Sequence, residues 1–299
     1  MKKTAMILLA CAALAWLAGP VLAEDAAMVV DVKNRDAVYE SGEKKGRVVM
    51  LMDFLAQGDR IKLGPQATIV LNYFASGLRE EISGPGVITA GLQASRKNEG
   101  ADIKAAKVDY IPPQTAARTS DVQHAGVVAL RDTKNKTKKL FLLALSDSAA
   151  RSLPLRFRWA PVSGAEKYDL VLTDVLDTIV FKTGTDQTEV LFQEDKLVLG
   201  EEYWWKVRAM SGPEVMAKAI GQFHVLTLED LGKLEQSEQD IKKRFSQGSA
   251  ESQIALAMLF QNYRLNDEAK VILLGLRKKH PRNSNIIRQL KMLRTNYDR

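Results

Sequence analysis

Cysteine is almost missing from this chain. Cys11 is the only one in 299 residues, and it lies in an apolar stretch near the N-terminus. Intrachain disulfides and cysteine-built metal sites are thereby excluded. Histidine is nearly as scarce: His124, His224 and His280 are far apart, and no His/Asp/Glu pair has metal-ligand spacing. The chain also lacks a Gly-x-Ser-x-Gly elbow, a phosphate-binding loop pattern and a dinucleotide glycine fingerprint. Its paired acids, Glu80-Glu81 and Glu201-Glu202, sit in strand-like surroundings, where neighbouring side chains face opposite sides and cannot share a substrate. Only a glycosidase pair, whose carboxylates come from positions distant in sequence, stays open. The expectation is a protein with no catalytic residues, no metal and no cofactor. Long apolar runs are missing too: beyond the N-terminus nothing approaches the ~18 residues of a membrane helix.

What the N-terminus does contain is an export pattern. Lys2 and Lys3 precede an apolar run over residues 5–17, Gly19-Pro20 breaks it, and Val21-Leu22-Ala23 puts small residues at the −3 and −1 positions before Glu24. This reads as a signal peptide over 1–23, with a mature chain that starts at Glu24 and holds no cysteine. An uncleaved anchor, or a lipoprotein box over Leu8-Leu9-Ala10-Cys11, are the other readings of the same residues. Without disulfides, an exported chain of this length must be held by buried apolar cores. The expected location is the periplasm of a Gram-negative-type bacterium.

Residues 24–92 read as short strands between glycine turns. Val29, Val30 and Val32 start one, and Ile69, Leu71 and Tyr73 share one face of another. The stretch Gly58-Asp59-Arg60-Ile61, the strand over 68–71, the turn at Gly77 and Ile82-Ser83-Gly84-Pro85-Gly86 resemble the FecR-type periplasmic domain over roughly fifty residues. In family members that regulate iron uptake, that domain relays a signal from an outer-membrane transporter, so the resemblance implies an envelope relay as an alternative function. Gly58-Asp59 itself reads as turn chemistry. Residues 93–121 are polar and carry Ile111-Pro112-Pro113, which predicts a linker. The apolar runs 126–130 and 140–145 flank 132–139 and are expected to pair as a hairpin; the basic run Lys134–Lys139 reads as a solvated loop, with a nucleic-acid or lipid patch as the other reading.

Over residues 122–228 the pattern predicts that hairpin leading into a β-sandwich. Trp159, Tyr168, Leu197 and Tyr203 fall where such a core needs anchors. Leu197, followed six residues later by Tyr203, resembles the tyrosine corner of fibronectin type III and related Ig-like domains, with Leu199 where that family often has proline. The resemblance implies a module that spaces and presents others. Trp204 and Trp205 are adjacent, so one points in and one out; the outward ring packs on an edge or offers a glycan platform.

After Thr227 the apolar period changes from two to about 3.6. Thr227 and Asp230 form a capping pair, and Leu228, Leu231, Leu234, Ile241 and Phe245 mark the stripe of a first helix. Three more helices follow, over about 250–263, 267–279 and around Ile286 to Leu293. Leu256, Ala257, Phe260, Ala269, Leu273, Leu276 and Pro281 resemble one tetratricopeptide repeat over 34 residues, with Gln253 in place of its usual Trp. A plain helical bundle fits the periodicity equally well. The expected fold is therefore multidomain and mainly β: a small all-β module, an Ig-like sandwich, and a helical TPR-like module over 229–299.

Charge adds a location. The chain has 43 basic and 36 acidic residues, a balance of +7, which becomes +5 once Lys2 and Lys3 are removed. Residues 229–299 hold 14 Lys or Arg against 9 Asp or Glu, also +5. The candidate partner-binding residues are Arg277, Lys278 and Lys279 at one helix end, and Arg288, Lys291 and Arg294, three apart on the next. Cations at a helix C-terminus also suit its dipole. The expectation is a non-enzymatic interaction or scaffold protein whose tail meets an envelope protein or an anionic membrane surface, and no nucleic acid. A cell-wall or glycan-binding protein is the second alternative.

Overall fold

The computed structural model describes residues 25–107 and 139–295, the side chains of 294–295 aside. The expected signal peptide, the apolar run at 126–130 and the lysine loop up to 138 lie outside them. The described residues divide into two compact units: one holds 25–49 and 53–107, the other holds 50–52 and 139–295.

In the first unit, β1 (Asp25–Lys33), β3 (Phe54–Ala56), β5 (Thr68–Tyr73), β6 (Leu78–Ser83) and β9 (Asp102–Lys107) form one sheet in the order β3-β1-β5-β6-β9. The strands β2 (Ala37–Tyr39), β4 (Arg60–Leu63), β7 (Gly86–Ala90) and β8 (Ser95–Glu99) form a second, in the order β2-β4-β7-β8. Alternation explains the core. Ile69, Leu71 and Tyr73 of β5 are fully buried, as are Ile61 of β4 and Ile88 of β7, in one apolar cluster. Each such side chain stabilises by about 1.5–3 kcal/mol on leaving water. Gly58 takes a φ of 93°, and the Asp59 carboxylate accepts from the Ala56 N–H at 3.1 Å and from Lys44 Nζ at 2.7 Å. Asp59 is thus occupied in fixing its turn.

The segment expected as a linker from residue 93 begins instead with two strands, so this unit runs to Lys107. Both β8 and β9 are edge strands of largely exposed, polar sequence, Ser-Arg-Lys-Asn-Glu and Asp-Ile-Lys-Ala-Ala-Lys. They bury almost nothing and so carry no apolar alternation. Lysine on an edge also discourages further pairing.

In the second unit, β10 (Ser148–Ala150), β12 (Lys167–Thr173), β13 (Ile179–Thr185), β15 (Glu202–Ser211) and β16 (Glu214–Val225) form a five-stranded sheet in the order β10-β16-β15-β12-β13. A two-stranded sheet of β11 (Leu155–Arg158) and β14 (Glu189–Phe192) shares its core, giving a β-sandwich. Trp159, just past β11, packs against Tyr168 and Trp205 at centroid distances of 5.4 and 6.3 Å, and Phe157 lies 5.1 Å from Trp205. Trp205 points in, fully buried, and Trp204 points out. The Tyr203 hydroxyl accepts from the Val198 N–H at 2.9 Å, and the Tyr168 hydroxyl accepts from the Val162 N–H at 3.0 Å. Of the expected hairpin, residues 140–145 form no strand; Leu142 makes a single bridge to Trp159, and the Leu145 carbonyl accepts from Trp205 Nε1 at 2.7 Å.

Four helices complete this unit among the described residues: α1 (Leu228–Arg244), α2 (Ala250–Asn262), α3 (Asn266–Lys279) and α4 (Ser284–Thr295). Thr227 caps α1, its hydroxyl accepting from the Asp230 N–H at 3.1 Å. Ser249 caps α2 in the same way. Leu234 and Ile241 are buried on α1, but Leu228 is 75% exposed. It sits at the first helical position, ahead of the turn that meets the core, so the stripe starts later than its spacing implied. Ala257 and Ala269 are both buried, which lets α2 and α3 approach closely.

Candidate functional site

The basic residues singled out in the sequence fall on two consecutive helices. Arg277, Lys278 and Lys279 form the last turn of α3 and are all exposed. Arg288 and Lys291 are exposed on α4. Arg294 belongs to α4, and its side chain lies outside the described ones. Arg288 donates to Asn285 Oδ1 at 2.6 Å, which fixes its guanidinium beside the first turn of the helix. Arg282, in the α3–α4 turn, is also exposed, and the sequence reading missed it. Between Glu268 and Asp298 the chain contains no acidic residue. None of Arg277, Lys278, Lys279 and Arg282 makes an ion pair among the described residues.

The helices are not an independent tail. The α2–α3 turn is bound to the segment around β10. Arg264, at a φ of 56°, pairs with Asp147 and offers its carbonyl to the Ala149 N–H at 2.8 Å and to Ser148 Oγ at 3.1 Å. Asn266 donates to the Asp147 carbonyl at 2.9 Å, and Asp267 accepts from the Leu145 N–H at 3.0 Å. Arg151 pairs with Glu238 of α1 and stacks over Phe260 of α2 at 5.1 Å. A part-buried, multiply bonded junction of this kind ties sandwich and helices together within one unit. The modular boundary expected near residue 228 therefore separates two layers of one unit. His224 of β16 lies half-buried beside it; burial and then the Arg264 charge hold its imidazole below the ordinary range.

The remaining candidates are dispersed. Glu80 is buried, its carboxylate accepting from the Ser95 N–H at 3.0 Å, while Glu81 points to the other face. Glu201 and Glu202 are both exposed. Among the described residues, no group of three His, Cys, Asp or Glu could hold a metal ion, and no helix is long and apolar enough to cross a membrane. Outward-facing apolar residues were also missed: Val271 and Leu274 lie exposed on α3, off its buried stripe of Ala269, Leu273 and Leu276.

No family model matches this sequence. No curated protein matches it either. Among solved structures, similarity extends to the fn3 domain of the human collagen alpha-1(XX) chain, 19% identical, covering 32% of this chain and 93% of that one at a TM-score of 0.25. CopC from Methylosinus trichosporium OB3b is 17% identical, covering 30% and 95%, at a TM-score of 0.24. A Ruminococcus gnavus beta-glucuronidase is 15% identical over 29% of this chain and 15% of its own, at a TM-score of 0.22.

Proposed function

We propose that this chain is an exported, non-enzymatic protein of the bacterial cell envelope that binds other proteins and acts as a scaffold, with an acidic envelope protein as its partner. The observation that carries the reading is the basic surface of α3 and α4: Arg277, Lys278, Lys279, Arg288 and Lys291 stand exposed, no acidic residue lies between Glu268 and Asp298, and Arg277, Lys278 and Lys279 make no ion pair among the described residues. A surface of one sign raises the local concentration of opposite charge and speeds encounter. The motif resemblances give the frame: FecR-type for the first unit, fibronectin type III for the sandwich and tetratricopeptide-like for the helices. The Tyr203-to-Val198 hydrogen bond supports the second, and the paired small residues Ala257 and Ala269 support the third.

The test is charge reversal at Arg277, Lys278, Arg288 and Lys291 in the full exported chain, with crosslinked capture from envelope extract at low and high salt and binding to anionic vesicles run alongside. Capture of an acidic protein that is lost on reversal and weakened by salt is the expected result, because exposed charges are screened beyond about 10 Å at 0.1 M salt. Capture indifferent to both changes would overturn the reading. Binding to vesicles in place of a protein would move the partner to the membrane surface.

A further inference from the structure

One end of the large sheet is unusually apolar. Thr173, the last residue of β12, is paired with Ile179 of β13 and with Trp204 of β15. Glu202 pairs with His224 of β16, and the Gly200 N–H donates to the Val225 carbonyl at 2.9 Å. The β12–β13 turn, the loop before β15 and the start of α1 therefore meet at this end. Six large apolar side chains stand exposed there: Val175, Leu176, Ile179, Val198, Leu199 and Leu228. Leu176 is 81% exposed. The turn that carries it is built, because Asp174 Oδ1 accepts from the N–H groups of Leu176 and Thr178 at 2.9 and 2.8 Å. Exposed apolar groups gathered on a fixed turn mark a contact surface.

The rim of this end is acidic. Residues 174–179, 194–202 and 227–230 together hold eight Asp or Glu and one Lys. Lys206 neutralises Asp177 at 3.1 Å and Lys233 pairs with Glu229, which leaves the excess strongly negative. Such an end is repelled by anionic headgroups. It fits an apolar surface edged with cations, and the same chain carries one. On α3, Val271 is 70% exposed, Leu274 follows at i+3 and Lys278 at i+7, with Arg277 alongside. Residues 270–291 hold seven Lys or Arg and no Asp or Glu.

We infer that the acid-rimmed apolar end of the sandwich in one copy seats on the basic-edged apolar face of α3 in a second copy, so that the chain assembles head to tail. Two different surfaces meet, so the contact is heterologous and can be extended into rings or filaments. The inference adds self-association to the interaction-protein reading. It is tested on the purified chain with no other protein present, so either can fail alone.

Sedimentation velocity on the purified full chain over a concentration series reads the assembly. Two double variants are compared, Leu176→Asp with Leu228→Asp, and Val271→Asp with Leu274→Asp. All four positions are exposed, and far-UV circular dichroism and melting verify that both variants stay folded. The wild type is expected to pass from monomer to dimer and larger species, weakening at least tenfold at high salt. Each variant alone stays monomeric, and an equimolar mixture of the two recovers a dimer and nothing larger, because each supplies the surface the other lacks. A wild type that is monomeric at every concentration overturns the inference. So does assembly by either variant alone, or a mixture that remains monomeric. Binding of anionic vesicles that is lost in the Leu176 variant, with no self-association, would overturn it in favour of lipid.

Discussion

The two tyrosine hydroxyls of the sandwich allow a quantitative comparison within one domain. Replacing Tyr168 or Tyr203 with Phe deletes one oxygen and leaves the ring in place. Each deletion strands one backbone donor, the Val162 N–H or the Val198 N–H. The surroundings differ. Tyr168 and Val162 are both buried, so the orphaned N–H stays dry; Val198 is exposed, so water can reach its N–H once the hydroxyl is gone. An unpaired buried donor costs about 1–3 kcal/mol, and a rehydrated one falls at the low end. The expectation is a loss of about 2–3 kcal/mol for Tyr168→Phe and about 1 kcal/mol for Tyr203→Phe. With an m-value of about 2 kcal/mol/M, the urea midpoints drop by about 1 M or more and about 0.5 M. Tryptophan fluorescence is a local assay, because Trp159, Trp204 and Trp205 all lie in the sandwich and Trp16 lies within residues 1–23. The helical circular dichroism band should move with the fluorescence, since Arg264, Asn266 and Asp267 tie the helices to the strands. A reversed order of the two variants refutes the burial argument. A helical transition that stays put while the fluorescence shifts refutes the single unit.

Two further outcomes follow from packing and titration. A Cβ on Gly221 would lie 2.5 Å from Trp205 Nε1 and 2.8 Å from Leu142 Cδ1, so Gly221→Ala should cost about 1–3 kcal/mol in the same urea assay by overpacking, and an unchanged midpoint would show the indole free to shift. His224 is held neutral by burial and by Arg264, its folded pKa below the ordinary 6.5. Its contribution is therefore complete above that value and is lost as pH falls towards the folded pKa. The midpoint should fall between about pH 7.5 and pH 5.5, and His224→Gln should flatten that slope. Glu268, whose carboxyl is raised above 4.5 by burial, acts in the opposite sense, its contribution being lost as pH rises through the folded value.

Much of the local structure was already written in the chain, because it depends on neighbours within a few residues. The period of two placed Ile69, Leu71 and Tyr73 on one face and Trp204 and Trp205 on opposite faces; the packing decided that Trp205 is the one turned in. Thr227 and Asp230 marked the start of α1, and the later helix stripes gave boundaries within one or two residues. Where a segment buries little, that signal vanishes, which is why the edge strands Ser95–Glu99 and Asp102–Lys107 read as linker. The candidate surface divides in the same way. Local charge counting located the cations of α3 and α4, but whether Arg277, Lys278 and Lys279 find ion-pair partners depends on which carboxylates the fold brings near. Contacts across more than a hundred residues, such as Ser148 with Arg264 or Leu145 with Asp267, leave no periodic trace, and they join two apparent modules into one body. Leu176 and Leu228 are 52 positions apart and look like ordinary apolar residues in sequence. Only the register of β12, β15 and β16 brings them to one end of the sheet and leaves them in solvent, because exposure depends on what the rest of the chain fails to cover.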